Sequence, residues 1–174
     1  NPTFDISVAR FEALGFSVGL IEGYRRHEIL KVNPNYKSRF LVYENVRDKV
    51  LPVLQKTKKD GIIFGEDDAI PRNIFTPDFV DRKIKEYDGE NNILWFGFQK
   101  ILKKKKDSSH PRGFYVVGAQ LIWMPKKLYP IIKEVMTKQK PQHYDGFLSK
   151  NMDLPIKLVD KDIQMKGRGK ALLK

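Results

Sequence analysis

Short apolar runs of strand length alternate along this chain with segments whose apolar residues recur at helical spacing. Ile62 to Phe64 and Ile93 to Phe98 are the clearest runs. Phe114 to Met124 reads as one long strand or as two short ones joined at Gly118. Ser17 to Ile21 is a further expected strand, and Ile156 onward holds a last one. Helices are expected over residues 3–14, capped by Thr3 or Asp5 and ended by Gly15, and from about Asn45 to Lys58, with Pro52 disturbing the middle. More are expected from Pro77 to about Tyr87, from Lys126 to Lys138, and from Asp145 to Leu148. Alternation of this kind favours an α/β layered fold with a mostly parallel central sheet flanked by helices. In such sheets ligands sit beyond the C-terminal ends of the strands.

At 174 residues the chain has room for a real core, and no repeat or Gly/Ser linker divides it, so residues 1–174 are read as one domain. A 41% hydrophobic and 31% charged composition excludes a disordered chain. Zero cysteines exclude disulfide scaffolds, zinc fingers and thiol chemistry, and suit a reducing compartment. No apolar run reaches the ~18 residues of a membrane span, and no signal peptide is visible. The expected setting is intracellular and cytoplasmic, including that of a phage- or virus-encoded protein in its host. Lys plus Arg exceed Asp plus Glu by 33 − 21 = 12, which predicts an anionic partner.

The run Ile62 to Phe64 leads directly into Gly65-Glu66-Asp67-Asp68. Three consecutive carboxylates repel one another and resist burial. At a strand end they make sense when a cation neutralises them, and oxygen ligands of this kind suit Mg²⁺ or Mn²⁺ completed by phosphate oxygens and water. The plainer alternative is a solvated acidic turn.

This segment resembles the acidic metal-binding motif of the GT-A glycosyltransferases, and is most similar to the family containing collagen and lipooligosaccharide galactosyltransferases and related viral enzymes. The same order of short motifs runs over roughly residues 60 to 150: the strand into Glu66-Asp67-Asp68, the strand Ile93 to Gly97, the segment Gly118 to Ile122 leading into the Lys126 helix, and Tyr144-Asp145-Gly146-Phe147-Leu148. The resemblance implies a GT-A-like (Rossmann-type) fold and transfer of a sugar from a nucleoside-diphosphate sugar, with a UDP-sugar favoured. It implies Mn²⁺ or Mg²⁺ on Asp67 and Asp68, donor contacts from Glu66, Asp67, Asp68 and Gly118, and Asp145 as the base that deprotonates the acceptor hydroxyl. A helix N-cap is the structural alternative for Asp145.

Two features depart from that pattern. The chain opens near the helix that should follow the family's first strand, so that strand is expected to be lacking. No His follows His143, so Asp160, Asp162, Gln164 or water would complete the metal shell. His27, His110 and His143 have no metal-cluster spacing, and no P-loop is present. Gly167-Arg168-Gly169 reads as a phosphate-binding turn or as part of a loose basic tail from about residue 156.

Lys100 to Arg112 carries six bases against Asp107. A surface that simply drifted basic is one explanation. The other is that Lys103, Lys104, Lys105 and Lys106 track a nucleic-acid backbone, where neutralised phosphates release counterions. The favoured acceptor is then a hydroxymethyl pyrimidine in DNA, as for the phage and base-J-type DNA glycosyltransferases, with the base leaving the stack to reach the sugar. A glycan, lipooligosaccharide or protein hydroxyl is the alternative acceptor. A non-catalytic nucleic-acid-binding module is the third reading.

Overall fold

A computed structural model of the chain describes residues 2–67 and 69–159. Asp68, Asp160, Asp162, Gln164 and the segment 167–169 lie outside the described residues. Helix α1 (Pro2–Ala13) has Asp5 in its first turn rather than at a cap, and it closes at Gly15, whose φ of 97° suits only glycine comfortably. The expected strand Ser17 to Ile21 does not form: residues 16–25 have no regular structure, and Leu20 is 66% exposed. A strand needs a partner, and Gly19 in the middle of this run weakens it as a strand. Helix α2 (Arg26–Val32) buries no residue.

The next helical run starts earlier than expected. A 3-10 turn (Ser38–Phe40) leads into α3 (Leu41–Asn45), then a π turn (Val46–Val50), then α4 (Leu51–Lys56). Pro52 sits at the start of α4. It has no N–H to give and its ring crowds the carbonyl four residues back, so the widened turn before it relieves both problems without breaking the rod.

Strand β1 (Gly61–Gly65) follows, then α5 (Pro77–Glu86). Thr76 caps α5 by accepting the Phe79 N–H, and Pro77 opens its first turn, where a missing N–H costs nothing. Then come β2 (Ile93–Gly97), β3 (Lys100–Lys103), β4 (Phe114–Val117), β5 (Leu121–Pro125), α6 (Tyr129–Lys138), α7 (Tyr144–Lys150) and β6 (Ile156–Leu158).

Among the described residues the main sheet has the order β1-β5-β2-β6, and β3 and β4 form a separate hairpin. The fold is α/β, but the sheet is mixed rather than mostly parallel: β5 is antiparallel to both β1 and β2, and only β2–β6 is parallel. The connection explains the difference. The chain leaves β2 at Gly97, makes the β3–β4 hairpin, and re-enters at Leu121 opposite Gly97. A chain that returns at the end it left must run backwards, whereas a parallel return needs a crossover of a dozen or more residues.

All of β2 and β5 is buried, which is why neither shows polar alternation. Ile93, Trp95, Ile122 and Met124 face a core built with α3, the π turn, α4, α6 and α7. Leu94, Phe96, Leu121 and Trp123 face a second one built around Phe75, Phe79 and Val80, with Phe11 and Phe16 at its edge. The sheet therefore separates two helical layers. Among the described residues, no helix is long and apolar enough to cross a membrane.

Candidate active site

Three chain segments converge where β1 and β2 end and β5 begins. The Glu66 N–H donates to the Gln120 carbonyl at 3.1 Å, and the Gln120 N–H donates to the Gly97 carbonyl at 3.1 Å. The segment 118–120 is thereby stitched between the two strand ends. It floors a cleft of about 260 Å³ bounded by Arg39, Glu66, Gln99, His143, Tyr144 and Asp145.

Gly118 is fixed from every side. Its φ is 87°, its N–H donates to Asp145 Oδ2 at 3.1 Å, and its carbonyl accepts the Trp95 indole N–H at 3.1 Å. Asp145 is half-buried in the first turn of α7. The N-cap of that helix is His143, not Asp145. Asp145 Oδ1 accepts the Gly146 N–H at 2.7 Å and faces the Tyr115 hydroxyl at 3.4 Å. His143 Nδ1 lies 4.0 Å from the same oxygen. Gly146 is what admits the tyrosine, because a Cβ there would stand 3.0 Å from the Tyr115 oxygen.

The placement of α7 follows from an edge that needs covering. One edge of β4 pairs with β3, and the N–H groups of Val116 and Gly118 point the other way. Ser149 Oγ accepts the first at 3.0 Å, and Asp145 the second. Side chains one helical turn apart thus complete the strand's hydrogen bonding. Burial, and then the charge of Asp145, push the Tyr115 phenol above its ordinary range. Burial does the same to Tyr144, reinforced by the Glu66 carboxylate and by Tyr43.

Of the residues singled out in the sequence, Glu66, Gly118 and Asp145 come together in this cleft. Asp67 is exposed on the turn after β1. Carboxylates at that turn are the hard donors that Mg²⁺ or Mn²⁺ takes alongside phosphate oxygens. Among the described residues no three acidic or His side chains gather as a metal cage; Glu66 lines the cleft and Asp67 is exposed next to it on the turn. Lys103 to Lys106 do not line the cleft. Lys100 pairs with Val117 at the root of the hairpin and Lys103 with Phe114, which sets the lysines roughly 10 Å further out, at the tip. Asp107 shapes that tip by accepting the N–H groups of Ser109 and His110.

Arg39, Gln99 and Gln120 are cleft residues that the sequence reading does not single out as site residues. Arg39 is one of 33 basic residues with no local motif to mark it. Gln120 carries a signal that can be read, as the polar interruption of an apolar run. The chain matches no family model, no curated protein and no solved structure.

Proposed function

We propose that the chain is a metal-dependent glycosyltransferase that moves a sugar from a nucleoside-diphosphate sugar, a UDP-sugar in the first instance, to a hydroxyl acceptor. The observation that carries this reading is the convergence of Glu66, Gly118 and Asp145 in one cleft, from three segments whose order also resembles the GT-A pattern. The cleft is at the small end of ligand sites, which suits the reacting end of a nucleotide sugar rather than all of it.

Asp145 is held by two backbone N–H donors, and Oδ2 keeps a second lone pair for an acceptor hydroxyl. The acceptor oxygen bonds to the sugar's anomeric carbon as its proton passes to Asp145. The bond from that carbon to the diphosphate breaks, and its electron pair leaves with the phosphate oxygen. Arg39, exposed at the cleft wall, meets the charge that develops there. Mn²⁺ or Mg²⁺, if held by Asp67 and Asp68, would supply Lewis-acid stabilisation of the same leaving group.

The favoured acceptor is a hydroxymethyl pyrimidine in DNA, supported by the +12 charge and the lysine-tipped hairpin. The position of those lysines away from the cleft keeps a glycan or protein hydroxyl as the second reading.

The first test is thermal stability with UDP-, GDP- and ADP-sugars, with and without Mn²⁺, since a ligand of the folded state raises Tm by mass action. A UDP-sugar is expected to raise Tm only with the metal, and Asp67→Ala with Asp68→Ala to abolish that rise while leaving the unliganded Tm in place. Absence of any shift with all three donors sinks the transferase reading.

A further inference from the structure

Gln120 is 3% exposed, and its side-chain Oε1 is buried without a hydrogen-bond partner. Among the described side chains, Arg112 Nε is the other such atom, but its guanidinium is already committed to the carbonyls of Asn151 and Leu154. Gln120 has no such commitment for Oε1, and it lies on the cleft floor beside Gly118, Glu66 and Asp145. A buried unmade hydrogen bond destabilises a fold, and a Leu or Met of similar size would avoid it. The local backbone is also shaped around this amide: a Cβ on Gly118 would stand 2.7 Å from both Gln120 Nε2 and Oε1. The structure thus keeps a polar group at a cost in stability, and keeps residue 118 free of a side chain to make room for it.

We infer that Gln120 recognises the transferred sugar by accepting a hydrogen bond from one of its hydroxyl groups. The donor sugar is the source, because the Gln120 backbone is tied to Glu66, on the carboxylate side of the cleft. Rotation about the terminal amide torsion, which is soft and roughly two-fold, turns Oε1 toward the incoming hydroxyl. A site built to bond a hydroxyl also discriminates against sugars that lack one, since the polar group is then left unpaired. The inference rests on the transferase reading above.

The experiment compares UDP with UDP-glucose and UDP-galactose, all with Mn²⁺, by calorimetric titration of the parent and Gln120→Met. The parent is expected to bind one of the hexose donors more tightly than UDP. The variant is expected to lose about tenfold in affinity for that donor, the factor one hydrogen bond to a desolvated acceptor supplies, with UDP affinity unchanged. In the unliganded state its Tm is expected to rise by about 2–4 °C, as relief of one unmade bond gives in a chain of this size. A variant that keeps the full hexose increment overturns this inference alone. So does a fall in Tm or a failure to fold, which marks Gln120 as a packing residue. A parent that does not bind UDP removes the UDP-sugar form of the transferase reading and this inference with it.

Discussion

Gly118 combines a left-handed backbone, an N–H bond to Asp145 and a Cβ position that the Gln120 amide already occupies. Gly118→Ala therefore has to strain φ and displace that amide. A loss of about 1–3 kcal/mol is expected from urea midpoints, and an unchanged midpoint would show that the loop is not held as described. Asp145 divides two N–H donors between its two oxygens. Asparagine offers one oxygen, so Asp145→Asn leaves one donor facing an NH₂ group and is expected to cost about 1–3 kcal/mol. If Asp145 is also the base, transfer falls by about 10²-fold or more with donor binding little changed. Normal turnover in a destabilised Asp145→Asn protein would reduce its role to fastening α7.

That fastening has a second point at Ser149, whose hydroxyl oxygen accepts the Val116 N–H in a buried setting. Ser149→Ala strands the N–H and is expected to cost about 1–3 kcal/mol, read from the same denaturation midpoints. The hairpin supplies the test of the acceptor. Replacing Lys103, Lys104, Lys105 and Lys106 by Gln is expected to weaken duplex DNA binding and flatten its salt dependence, leaving UDP-sugar binding intact. A parent with no duplex affinity at low salt gives the acceptor role to a glycan or protein hydroxyl. The strands at Ile62 to Phe64 and Ile93 to Gly97 were legible because both are unbroken apolar runs between turn residues, and α5 because Pro77 is suited to open a helix's first turn. Strand direction was not legible. It depends on where the chain re-enters the sheet after the hairpin, and Leu121 carries no local mark of running backwards. Ser17 to Ile21 misleads for the opposite reason: its short apolar run suggests a strand, yet among the described residues none pairs with it. In the cleft, Glu66, Gly118 and Asp145 could be read from ordered motifs, whereas Arg39 and Gln99 join them only through the path of the chain in three dimensions.

Several phenols are held protonated by the packed interior as a unit. Burial pushes Tyr43 up to about 12, and Tyr36, Tyr115 and Tyr144 are raised as well, Tyr36 with help from the Glu44 carboxylate it bonds. In the unfolded chain these groups lose their protons near pH 10. Folded-state values above the unfolded one mean stability that is complete below pH 10 and lost as pH rises toward and through about 12. Tyrosinate absorbance is expected to lag in a subset of the seven tyrosines until unfolding releases them together; uniform titration near pH 10 without unfolding would contradict this. The hairpin adds a mechanical consequence. Besides its two backbone connections through Gln99 and 118–120, it is fastened along β4 by Ser149 and Asp145 of α7 and, just ahead of β4, by Arg112 at the Asn151 and Leu154 carbonyls. A load on the lysine tip would therefore pass into α7 through those fastenings rather than swing the hairpin about Gly118. On the reading proposed above, a polyanion held at the tip would then load the same helix that carries Asp145.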